Sequence, residues 1–157
     1  MASLSTYDIA RKIQRLGEPL RTAVDRVHHW VRAGAIKPIG RAHPGTGKRR
    51  RYPLDTAARV ALLQAIADHG VPARVAILWL RDPEILAPFF ENASEPADRT
   101  LLVISETFDG REWRAVGMRT PDDLANWVAT SNFDNHVVIH AGKIRDRLIA
   151  KTEGKKK

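Results

Sequence analysis

The chain has 157 residues, no cysteine and a formal net charge of +8 at pH 7, from 26 Lys and Arg against 18 Asp and Glu. Lack of cysteine excludes disulfides, thiolate metal sites and thiol nucleophiles, and no apolar run approaches the roughly 20 residues that span a bilayer. A hydrophobic share of 43% suffices for a packed core in one sizeable domain or two small ones, and the basic excess favours an anionic partner.

The charge is uneven. Met1 to Leu78 holds 14 Lys and Arg against 5 Asp and Glu, which leaves 12 basic and 13 acidic residues for the rest. A uniform solubilising surface would not concentrate the excess in one half. Asp8, Arg11, Lys12 and Arg15 interrupt any signal-peptide pattern near the start. The expected setting is therefore cytoplasmic, on the nucleoid, with no membrane contact.

In chain order, Ser5 caps a first helix, and Asp8 three residues on completes an approximate capping box. Ile9, Ala10, Ile13 and Leu16 follow at helical spacing, with Gly17 as the stop. Gly17-Glu18-Pro19 makes the turn. A second helix runs from Leu20 to Gly34, with Leu20, Val24, Val27 and Val31 as its buried stripe and Gly34 as a left-handed cap. Ala35 to Pro53 reads as extended, turn and extended, with Gly45-Thr46-Gly47 at the tip and Lys48, Arg49, Arg50 and Arg51 in a row.

Asp55 can cap a third helix containing Val60, Leu63 and Ile66, closed by Gly70. Pro72 opens a fourth with Val75, Leu78 and Trp79, and Asp82-Pro83 begins a short helix towards Phe90. Asn92 to Asp98 has the composition of a linker. Beyond it, Thr100 to Thr107 reads as a strand, Asp109-Gly110 as a tight turn and Glu112 to Gly117 as the returning strand. Thr120-Pro121-Asp122-Asp123 starts a helix with Leu124, Trp127 and Val128 on its apolar face. His136 to His140 is a third strand, and Gly142 to Lys151 a terminal helix with Ile144 and Leu148 on one side.

The residues with functional promise lie in the basic half. At about 100° per residue, Thr22, Asp25, Arg26, His29 and Arg32 fall opposite the buried stripe of the second helix. Arginine from this helix, Arg21 or Arg26, can pair with guanine, and Asp25 can accept from cytosine or orient an arginine. The cationic hairpin beside it, with Arg41 and Lys48 to Arg51, suits backbone phosphates. Trp30 is expected in the core and Tyr52 at the base of the hairpin.

Other motifs have simpler explanations. His28 and His29 are adjacent and do not face one another on a helix. His136 and His140 share a strand face but lie far apart for one metal. Gly45-Thr46-Gly47-Lys48 resembles a phosphate-binding loop, but that motif needs glycine where Ala42 sits and Ser or Thr where Arg49 sits. Asp122 and Asp123 occupy a first helical turn, where acids offset the helix dipole. No catalytic constellation stands out, so the expectation is a protein that is not an enzyme, with no cofactor and no metal.

The segment Trp30-Val31-Arg32-Ala33-Gly34-Ala35-Ile36-Lys37-Pro38 is followed by a basic wing ending at Arg51-Tyr52. Next come a capped helix with Leu63 and Ile66, then Gly70, then a short helix ending near Ile77. In this order and spacing, residues 5 to 79 resemble the MerR-type winged helix-turn-helix. The resemblance implies dimers on pseudo-palindromic promoter DNA, the second helix in the major groove and the wings on flanking phosphates. Carried over, it puts Arg21, Thr22, Asp25, Arg26 and His29 towards the groove, and Arg41 and Lys48 to Arg51 on the backbone. Pro83 and Pro88 interrupt the region where that family builds its dimerising coiled coil, so the mode of dimerisation does not carry over.

The expected fold is α+β: a winged helix-turn-helix over residues 1–80, a short helix and linker over 81–98, a small α/β module with an antiparallel hairpin over 99–150, and a disordered basic tail over 151–157. The expected function is sequence-specific binding of double-stranded DNA in transcription regulation, as a homodimer joined through the C-terminal module. The alternatives are an architectural or excisionase-like recombination accessory and a winged-helix adaptor for protein partners.

Overall fold

The computed structural model describes residues 3–40, 50–82, 101–107, 112–118 and 121–153. Among these are six helices and two small antiparallel sheets, an α+β composition. Proximity of Cα atoms groups the chain into two compact units: Met1–Ala61 with Leu148–Lys157, and Leu62–Arg147. The boundary falls within the third helix, and the stretch 83–100, over which the sequence predicts a short helix and a linker, lies outside the described residues.

In the first unit, strand β1 (Leu4–Ser5) leads directly into helix α1 (Thr6–Ile13). The capping box forms as its residues demand. Ser5 Oγ accepts from the Asp8 amide at 3.2 Å, and the Asp8 carboxylate accepts from the Ser5 amide at 2.8 Å and from its hydroxyl at 2.7 Å. Helix α1 ends at Ile13, a turn earlier than Gly17 suggests, and Leu16 is fully exposed instead of continuing the apolar stripe. The cause is the turn itself: Gly17 takes φ +77°, and the Glu18 amide donates to the Arg15 carbonyl at 3.1 Å.

Helix α2 (Leu20–Arg32) starts after Pro19 and packs on α1 through a face that buries Ala23, Val24, Val27 and Trp30. Val24 and Val27 keep the expected stripe, while Leu20 and Val31 at its ends are only partly buried. The helix closes in a Schellman motif. The Ala35 amide reaches the Trp30 carbonyl and the Gly34 amide the Val31 carbonyl, each at 3.0 Å, with Gly34 at φ +73°.

The chain then descends through buried Ile36 and returns as β2 (Arg51–Tyr52). The partner of β2 is the N-terminal strand β1, with Leu4 opposite Tyr52 and Ser5 opposite Arg51. The outgoing arm forms no strand over 35–40, but the Ile39 amide donates to the Arg51 carbonyl at 2.7 Å and ties the two arms together. Residues 41–49, which include the expected tip at Gly45-Thr46-Gly47, lie outside the described residues. Tyr52 is completely buried at the hairpin base, as its size and position suggest.

Helix α3 (Thr56–Asp68) buries Ala57, Ala58, Val60, Leu62, Leu63 and Ile66, and Gly70 ends the segment at φ +85°. Helix α4 (Ala73–Arg81) follows Pro72. It buries Ala76, Ile77, Trp79 and Leu80 and leaves Leu78 exposed. The apolar residues of this helix outnumber its buried positions, so composition alone does not say which one faces out.

The second unit contains a three-stranded sheet of order β4-β3-β5, all antiparallel, from β3 (Leu101–Glu106), β4 (Trp113–Met118) and β5 (Asn135–Ile139). As the central strand, β3 is buried continuously from Leu101 to Ser105. Helix α5 (Pro121–Thr130) begins with Asp122 and Asp123 in its first turn, where they meet the positive end of the helix dipole. Leu124 and Trp127 of α5 and Val116 of β4 pack against Leu101 and Val103. Helix α6 (Ala141–Glu153) runs past the start of the expected tail, and 154–157 lie outside the described residues.

Candidate nucleic-acid interface

The outward arc of α2 carries Arg21, Thr22, Asp25, His29 and Arg32, all exposed. This follows from packing: the buried face lies against α1 and in the core, so the opposite arc has only polar residues left. His28 and Arg26 lie at the two edges of that arc, and their fates differ.

Arg26 does not share the exposure of its neighbours. Its guanidinium pairs with the Glu18 carboxylate, and the two side chains are only 13% and 11% exposed. Glu18 in turn accepts from the Arg15 amide at 3.0 Å, and its carbonyl accepts from Gln14 Nε2. Arg26 therefore clamps the turn between α1 and α2, and is not offered outward as helical periodicity predicts. Its Nη1 is buried with no partner among the described residues.

On the opposite edge, a cleft of about 580 Å³ opens between the first turn of α1 and α2. Ser5, Thr6, Tyr7, Asp25, His28, Arg32 and Arg50 line it. It joins three residues expected from the sequence, Asp25, Arg32 and Arg50, across two separate chain segments. Tyr7 and His28 were not expected there. The signal for His28 was available in the 4-3-4 spacing of Arg21, Asp25, His28 and Arg32, which forms one ridge. Tyr7 gave no such signal, because its place depends on the β1–β2 pairing that brings the hairpin base to the start of α1.

Arg51 is exposed, opposite Ser5. Asp8 is held below the usual carboxylate range, first by the hydrogen bond from the Ser5 hydroxyl, then by that from the Ser5 amide. The charges of Arg51 and Arg11 add to this, against an opposing effect of burial. Arg41, Lys48 and Arg49 lie outside the described residues.

The second unit has a polar network of another kind. Trp127 Nε1 donates to Ser105 Oγ at 2.9 Å, and Ser105 Oγ lies 2.9 Å from His136 Nδ1. Ser131 Oγ is 3.4 Å from His136 Nε2. An indole can only donate, so Ser105 accepts from Trp127, and its hydroxyl shares a second hydrogen bond with the His136 ring. Ser105 is wholly buried, so this serine–histidine contact fixes α5 and β5 to β3 and offers no nucleophile to a substrate. Arg114 lies 5.2 Å from the Trp127 ring centre, beside a small cleft that Phe133 also lines.

Among the described residues, no group of three His, Asp or Glu side chains is arranged to hold a metal ion, and no helix is long and apolar enough to cross a membrane. Neither a protein-family model nor a curated protein matches this chain.

Proposed function

We propose that residues 1–80 are a winged helix-turn-helix of the MerR type that binds double-stranded DNA. Helix α2 enters the major groove with Arg21, Thr22, Asp25 and His29, Arg32 adds a DNA contact at its end, and the basic segment around Arg41 and Lys48 to Arg51 grips the flanking backbone. The observation that carries this reading is the shared cleft: Arg50 of the basic segment lies with Asp25 and Arg32 of α2 on one surface. An α-helix about 10–12 Å across, as α2 is with its polar outer arc, fits the roughly 12 Å width of the major groove.

Two such heads reading paired half-sites provide the surface that one lacks, so the functional form is a homodimer acting in transcription regulation. The second unit supplies the dimer contact, through an outer edge of its three-stranded sheet. The test is a mobility-shift titration of the full chain with random-sequence duplex at low salt. Retardation at micromolar protein is the expected result; none at that concentration removes DNA binding and favours the adaptor role.

A further inference from the structure

The cleft beside α2 contains more than the base-reading arc requires. We propose that it seats one phosphodiester of the duplex backbone, contacted by Tyr7 and His28 together with Arg32 and Arg50. This rests on the DNA-binding reading above and adds to it a defined position for the backbone.

The charge of the walls suits an anion. Among the described lining residues Arg32 and Arg50 are cationic and Asp25 is acidic. A phosphodiester carries one negative charge, which both arginines attract.

Size and donors agree. About 580 Å³ is several times the volume of a phosphate, so the cleft has room for the sugars on either side. Tyr7 is 57% exposed, its phenol an uncharged donor and its ring a flat surface for a sugar. His28 is partly buried and supplies a second donor from the edge of α2. The hydroxyl of Ser5, also on the wall, is occupied by Asp8 and adds no contact of its own.

A backbone contact helps every sequence alike, unlike a contact to a base edge. Fluorescence anisotropy of the full chain with labelled duplexes, combined with phosphate-ethylation interference, tests the proposal. Tyr7→Phe and His28→Gln are expected to weaken binding about three- to ten-fold each, equally on unrelated sequences. Both should remove interference at one flanking phosphate while the melting temperature holds. Wild-type affinity and an unchanged ethylation pattern in both variants and their double would overturn the cleft assignment and leave DNA binding standing. Absence of duplex binding by the unaltered chain would instead defeat the underlying reading. Saturable binding of inorganic phosphate or a nucleoside monophosphate, lost in the variants while duplex binding persists, would overturn the diester assignment.

Discussion

Arg26 illustrates the limit of periodicity at the scale of one residue. Its position on α2 follows from the sequence, but a long flexible side chain can lie along the surface towards either end of the helix. Here Glu18, itself held by the turn, captures it. Trp30 and Tyr52 were legible because large aromatics beside a helix cap and a hairpin base have few alternatives to burial. The Arg26–Glu18 pair is mostly removed from water, so loss of one partner leaves an uncompensated charge. Arg26→Ala and Glu18→Gln should each destabilise the protein by about 3 kcal/mol in urea unfolding. A base-contacting role for Arg26 predicts instead a stable variant with relaxed preference at one base position.

At the scale of elements, most helix starts and stops were visible because they rest on local chemistry: Ser5 with Asp8, Gly34, Gly70, and Pro121 with its two acids. The pairing of β1 with β2 was not, since two-residue strands have no periodicity to read and Leu4–Ser5 lies far from Arg51–Tyr52 in sequence. That pairing places Arg51 near the capping box, so α1 and the hairpin base are electrostatically linked. Asp8→Ala should cost about 0.5–1 kcal/mol at neutral pH. Because the folded carboxyl titrates below its ordinary value of 3.8, this contribution is complete above that value and disappears as pH falls through the lower folded one. The stability gap between wild type and Asp8→Ala, measured by urea unfolding from pH 6 downwards, should stay constant to about pH 4 and then close. A gap that is unchanged at pH 2 would show that the carboxylate has no part in it.

For the molecule as a whole, the order of predicted helices and strands indicated the α+β class, and the distribution of Lys and Arg the concentration of charge in one half. The small sheet was legible from a strand, a turn and a returning strand, then a third strand. Its serine–histidine–tryptophan network was not, because Ser105, Trp127 and His136 meet only once β3, α5 and β5 have assembled. The candidate interface was half legible: the outward arc of α2 follows from helical geometry, whereas the cleft needs three segments brought together. On the proposed function this basic surface holds duplex DNA through ionic contacts, and such binding releases counterions in proportion to the phosphates neutralised.

The most direct measurement is therefore duplex affinity as a function of salt for the wild type and for Arg32→Ala, Arg50→Ala and Arg51→Ala. Log affinity should fall linearly with log salt concentration, and the slope should shrink by about one for each arginine removed. An affinity indifferent to salt, or slopes unchanged by all three substitutions, would contradict the proposed function.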